Sequence, residues 1–371
     1  SITCRIIRVY SQAMTLSSKV IHMNIQLKSL QYPYRIMGIW LLILCSMVVI
    51  MVLLGGLARL THSGLSMVDW RPITGWLPPL GQQEWSLIFD LYKNTPEFKK
   101  INYGMNIDDF KGIFWLEYIH RLWGRIMGLS LVIPSFFFWA KGWLNFAIAR
   151  HLVVIFLFGG LQGALGWWMV KSGLIDNPDV SQYRLTAHLL LAVTIHGYMF
   201  WLALTFLGLN GKILGDELIK FRFLYFLALS SCIGIFLMMV SGGFVAGLDA
   251  GMIYNTFPLM DGKIIPDGLW TLKPWHLNFF ENITMVQFNH RILGVTCSIL
   301  IFATWLVAQR NRSSKLHRHP FNILLVLTIL QVSLGVITLV MSVPVFWASF
   351  HQINALLLFT CALWCLRSVK A

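Results

Sequence analysis

The sequence predicts an all-α membrane protein, with eight transmembrane helices arranged as two parallel four-helix-bundle repeats. Three observations carry that expectation. Of 371 residues, 57% are hydrophobic and 12% charged, where a soluble domain carries about 25% charged residues. Mean hydropathy is +0.68. The apolar residues gather into runs of membrane-spanning length, about 20 residues, and the runs of the second half echo those of the first.

The runs lie at roughly 36–57, 115–140, 151–171, 185–208, 222–247, 284–308, 321–341 and 345–368, the last two joined by a tight turn at Pro344. They divide the chain into a basic N-terminal tail (1–35), a first repeat (36–208), an inner linker (209–221) and a second repeat (222–371). The repeats match in four segments, in the same order. "GGLARLTHSGLSMVDWRPITG" from Gly55 pairs with "GGFVAGLDAGMIYNTFPLMDG" from Gly242. "EYIHRLWGRIMG" pairs with "QFNHRILG", "LQGALGWWMVKSG" with "LQVSLGVITLVMS", and "YRLTAHLLLA" with "FWASFHQINA". Four spans per unit is an even number, so both units point the same way through the bilayer.

The net charge of +14 sits mainly in tails and loops. Sixteen Lys and Arg fall on the side of the N-terminus and ten on the other, most of the ten in one long loop with six acids. That bias predicts both termini on the cytoplasmic or matrix side. It makes the lipid bilayer, and not a nucleic acid, the partner of the basic residues. No acid precedes Asp69, so Arg5, Arg8, Lys19, Lys28 and Arg35 are unopposed. Such a start suits a basic tail or part of a transit peptide, in a bacterial plasma membrane or a mitochondrial inner membrane; no clear cleavage site is visible, which leans bacterial. Cys45, Cys232, Cys297 and Cys361 lie within apolar runs, Cys365 near the end of the last and Cys4 in the tail. None lies in a loop between spans, so neither a structural disulfide nor a thiolate metal site is expected.

Four histidines occupy matched places: His120 and His188 in the first half, His290 and His351 in the second. Each begins an even-numbered span, so all four sit at similar depth toward the outer face. A pair of inward imidazoles on two helices is the donor set of a bis-histidine haem, and two pairs give two haem sites. Three or four converging ligands, as zinc requires, are absent from the spacing. His196 is deeper, its repeat partner is apolar, and it reads as packing.

Glu117 stands three residues before His120, on the same helix face. The corresponding residue before His290 is Gln287. Shape is kept and charge is lost, which suggests one site built for chemistry and one built to hold a haem. An ion pair with Arg121, four residues on, is the structural alternative. Arg121 and Arg291 follow the first histidine of each pair and are candidates for pairing with haem propionates. The loops 58–113 and 248–283 lie on the haem side and are expected to cover the sites.

The motifs "GGLARLTHSGLSMVDWRPITG", "EYIHRLWGR", "GWWMVKSGL", "YRLTAHL", "GGFVAGLDAGMIYNTFPLM", "QFNHRILG" and "ASFHQINA" resemble haem A synthase, in its mitochondrial and alphaproteobacterial cysteine-free form, over residues 36–368. The resemblance implies oxidation of a ring methyl group of haem O to a formyl group, giving haem A for cytochrome c oxidase. It implies substrate haem O between His120 and His188, haem b between His290 and His351, and Glu117 as the essential carboxylate. Haem O synthase is then the expected substrate donor, with an electron-transfer partner left unidentified and a homo-oligomer left open. The competing reading is a di-haem b membrane electron-transfer subunit, which accounts for the histidines but not for the Glu117–Gln287 difference. A transporter using the histidines as a proton relay would place more polar residues at mid-membrane.

Overall fold

The computed structural model describes residues 32–70, 74–174, 179–209, 218–310 and 315–369. The predicted tail up to residue 31, Cys4 within it, and linker residues 210–217 lie outside the described residues. The chain begins with α1 (Tyr32–Leu60). A cap follows, with the short helices α2 (Gln82–Lys93) and α3 (Pro96–Lys100), then α4 (Ile107–Ala140), α5 (Phe146–Gly173), α6 (Gln182–Phe206) and α7 (Leu218–Gly247). A second cap carries the one-turn α8 (Asn278–Glu281) and leads into α9 (Ile283–Arg310), α10 (Lys315–Val340) and α11 (Val345–Ser368). Among the described residues, eight helices are long and apolar enough to cross a membrane: α1, α4 to α7 and α9 to α11. Each coincides with an expected run.

The helices overshoot the runs where polar residues extend them. α4 starts eight residues before its apolar run because Asn106 caps it: Oδ1 accepts from the N–H groups of Asp108 (2.9 Å) and Asp109 (3.0 Å). Those two acids also suit the positive end of the helix dipole. Hydropathy does not register such a turn, since it lies in water. Between α10 and α11, Ser342 (φ 60°) and Val343 (φ 59°) both adopt left-handed backbone before Pro344, a sharp reversal that is costly for β-branched valine.

The interior is built on α1, α6, α7 and α11. Half of the apolar stretch of α1 and of α11 is buried within the protein, against 6% for α5. Glycines allow the close approach that drives association in lipid. A Cβ at Gly56 of α1 would fall 2.0 Å from Gln352 Oε1 of α11, and one at Gly247 of α7 would fall 2.6 Å from the Cα of Gln182 on α6. The halves therefore share one packed seam. At its outer end Arg59 Nη2 donates to Asp249 at 3.0 and 2.9 Å and to Ala246 O at 3.1 Å. The five described cysteines are buried and free.

The first cap is ordered by an aromatic cluster. Phe89 and Tyr92 of α2 pack on Phe110, Phe114 and Tyr118 of α4, with Tyr92 and Phe110 ring centroids 5.0 Å apart. Tyr118 Oη donates to Trp76 O at 2.6 Å, fixing the loop over the head of α4.

Gly247→Ala tests the seam. Its new methyl group meets backbone, so overpacking costs about 1–3 kcal/mol and the thermal midpoint in detergent drops. Gly159→Ala on α5 meets nothing within 4 Å and leaves the midpoint unchanged or raises it. Equal midpoints for the two variants contradict this packing.

Candidate functional site

Each of the four histidines lies against a glycine on a neighbouring helix. A Cβ at Gly55 would be 3.3 Å from His120 Nε2, at Gly166 3.0 Å from His188 Cε1, at Gly242 3.5 Å from His290 Cε1, and at Gly335 2.9 Å from His351 Cε1. Gly55 matches Gly242 and Gly166 matches Gly335 in the repeat alignment, so ring and notch correspond one for one. The notches let each imidazole sit between helices without forcing them apart. The first half thus offers notched imidazoles from α4 and α6, and the second half from α9 and α11. Among the described residues, no three His, Cys, Asp or Glu side chains converge as a metal cluster. Two imidazoles per site, each seated in a notch, would suit a haem, whose macrocycle supplies the other ligands to iron.

Two glutamines also touch the rings. Gln162 Nε2 is 3.3 Å from His188 Nε2 and donates to His188 O at 3.1 Å. Gln331 Nε2 lies 3.2 Å from Nδ1 and 3.3 Å from Nε2 of His351. Ser241 Oγ is 3.2 Å from His290 Nδ1. The sequence reading assigned none of the three. The glutamines and glycines stand at equal places in "LQGALG" and "LQVSLG", and that identity was the available signal.

Glu117 is buried, at 2% exposure. Its Oε2 accepts from Ser66 Oγ at 2.6 Å and from Met67 N–H at 2.7 Å, and its Oε1 pairs with Arg121. Gln287, also buried, works in the opposite sense. Its Nε2 donates to Ala250 O at 2.8 Å and Ile253 O at 2.5 Å. The first cap thus presents donors to a carboxylate, and the second presents carbonyls to an amide. The polarity of each loop matches the residue it meets, so the Glu/Gln difference is built into both surroundings.

The arginines serve the caps. Arg121 donates to Asp69 O (3.1 Å) and Met67 O (2.9 Å) and lies over the Trp70 ring at 5.0 Å. Arg291 donates to Thr256 O (2.8 Å) and Tyr254 O (2.7 Å), while its buried Nε has no partner. The expected ion pair of Arg121 with Glu117 is present. His196 is buried, with Nε2 2.7 Å from Thr360 Oγ1 on α11, in keeping with a packing role.

Sequence comparison agrees with this geometry. A family model described as cytochrome oxidase assembly protein matches residues 38–363. The Heme A synthase of Nitrosospira multiformis is 48% identical over 327 residues, covering 88% of this chain and 91% of that protein. The Heme A synthase of Paramagnetospirillum magneticum is 48% identical over 342 residues, 91% of this chain and 94% of its own. Heme A synthase COX15 of Homo sapiens is 42% identical over 342 residues, 91% and 83% respectively.

One further carboxylate lies in the first cap. Glu97 is 3% exposed and accepts from Tyr92 Oη at 3.2 Å, while Asn102 Nδ2 donates to that hydroxyl at 2.7 Å. Burial pushes the Glu97 carboxyl up to about 7; the Tyr92 hydrogen bond opposes the shift and the Glu117 charge adds to it. A raised carboxyl keeps its proton in the folded cap where the unfolded chain has lost it. Cap stability therefore falls as pH rises from the ordinary carboxyl range through about 7, by about 2–3 kcal/mol in all. Hydrogen exchange of cap amides, corrected for intrinsic rates, is expected to show protection declining between pH 5 and pH 8. In Glu97→Gln that decline disappears; a decline unchanged by the substitution contradicts the assignment.

Proposed function

This chain belongs to the cytochrome oxidase assembly protein family, and on that premise we propose that it is a haem A synthase, an integral membrane oxidoreductase converting haem O to haem A. The observation that carries the reading is the Glu117–Gln287 exchange, set in two loops of opposite hydrogen-bonding polarity beside matched histidine pairs. A protein that only passes electrons between two equal haems has no use for that difference.

Substrate haem O is held by His120 and His188, and a resident haem b by His290 and His351. Haem b supplies one-electron transfer. With water as the oxygen source, turning a methyl into a formyl group releases four electrons to the redox partner and four protons, and withdrawal of electrons leaves positive charge at the carbon for water to trap. Glu117 holds a buried negative charge three residues from His120, where it stabilises that charge and receives a proton. Ser66, Met67 N–H and Arg121 hold the carboxylate in place. The caps over both sites keep bulk water out. Arg121 and Arg291 clamp the caps, and the buried Nε of Arg291, without a partner, supports a propionate contact there. Duplication explains why notch, glutamine and cap contacts recur in both halves. Haem O synthase delivers the substrate and a separate redox partner exchanges electrons. Both termini face the cytoplasm or matrix.

The test is chromatography of haems extracted from a host making haem O. Wild type accumulates haem A. Glu117→Ala retains haem but loses about 100-fold or more of the product. Ser66→Ala keeps the carboxylate and one fewer hydrogen bond, so it loses about tenfold or less. A wild type that holds two b-type haems and yields no haem A is an electron-transfer subunit instead.

A further inference from the structure

The two histidine pairs differ in what holds them. In the second half, Ser241 meets His290 Nδ1 (3.2 Å), and Gln331 meets His351. Gln331 is itself fixed, since Asn354 Nδ2 donates to its Oε1 at 2.8 Å and to Leu327 O at 3.0 Å. In the first half the residues matching Ser241 and Asn354 are Leu54 and Leu191. Among the described residues, no side chain hydrogen-bonds the His120 ring. Gln162 Nε2 meets His188 Nε2 at 3.3 Å, but Gln162 Oε1 and His188 Nδ1 are buried without partners, so this glutamine is not itself fixed as Gln331 is.

Resting on the haem reading above, we infer that Ser241 and the Asn354–Gln331 pair are positioning residues that hold the second site's imidazoles for a haem that stays, while Leu54 and Leu191 leave the first site's imidazoles less firmly held, for a haem that enters and leaves. The physical basis is second-shell tethering. The Ser241 hydroxyl accepts from His290 Nδ1–H, which fixes ring and tautomer, leaves Nε2 as the open ligand atom and makes the imidazole a stronger donor to iron. Gln331, its Oε1 taken by Asn354, meets His351 with an amide nitrogen and restrains the ring's rotation. A stronger donor favours ferric iron and lowers the haem's midpoint potential. A ring without such a tether is freer to turn off the metal, which suits a site that must exchange substrate for product. The pair thus trades affinity against turnover within one duplicated scaffold.

The experiment uses the haem-loaded protein, mixed with excess apomyoglobin as haem acceptor, with the haem remaining typed by chromatography over time. In wild type, haem O and haem A are expected to leave about tenfold or more faster than haem b. Ser241→Leu and Asn354→Leu, which install the first-half residues, speed haem b loss by about tenfold. Ser241→Leu also raises the haem b midpoint potential and shifts its low-spin electron paramagnetic resonance signal, which a general packing defect with the ligands intact would not do. Ser241→Ala removes only the hydroxyl and gives the same shift with the thermal midpoint kept. Leu54→Ser combined with Leu191→Asn slows loss from the first site. Equal loss rates for both haems in wild type, or an unmoved haem b potential in Ser241→Ala, overturn this inference alone. Protein that purifies without a Soret band overturns the haem reading, and this inference with it.

Discussion

A carboxylate buried at the head of a membrane-spanning helix sets the terms for everything around it. Glu117 is 2% exposed, and an unmet charge at such a place costs several kcal/mol. Its charge is met from two directions, by Arg121 one turn on and by Ser66 and Met67 of the cap. The cap must therefore fold back over the helix, and Arg121 must turn toward the cap carbonyls. The aromatic cluster of α2 and α4 holds the loop in that place. Glu117, Arg121 and the cap form one unit, and removing the charge disturbs the loop as well as the chemistry.

That coupling bears on how Glu117 variants are read. Glutamine, the residue natural to the second site, is a poor isostere in the first. Its amide would set N–H groups against the Ser66 and Met67 donors, whereas Gln287 faces the carbonyls of Ala250 and Ile253. The two halves carry the same scaffold with reversed loop polarity. The Glu117–Gln287 difference is thus written in backbone orientation as much as in side chains.

Most of the architecture was legible in the sequence. Long apolar runs leave helices as the only way to satisfy the backbone in lipid, so all eight spans were found. The histidines and the Glu117–Gln287 exchange stood out because the matched segments of the two halves can be compared: a polar residue kept at matched positions in an apolar helix is conspicuous. What the sequence concealed depends on the neighbour across an interface. Gly55 and Gly166 read as ordinary small residues until a ring is seen in each notch. Arg121 had two expected destinations, and only the cap's fold shows its donors spent on Met67 and Asp69 as well as on Glu117. Glu97 looked like one of six loop acids, since nothing local reveals that Tyr92 and the α4 aromatics bury it. Ser241 and Asn354 are small polar residues whose helix face is fixed only by packing.

The central claim is that one chain holds two haems of different kinds in assigned halves. The most direct measurement is the type and amount of haem retained by purified His188→Ala and His351→Ala proteins from a host making haem O. The account predicts that His188→Ala keeps haem b and loses haem O and haem A, while His351→Ala loses haem b. If both substitutions deplete the same haem, or neither changes the haem content, the two-site account is wrong.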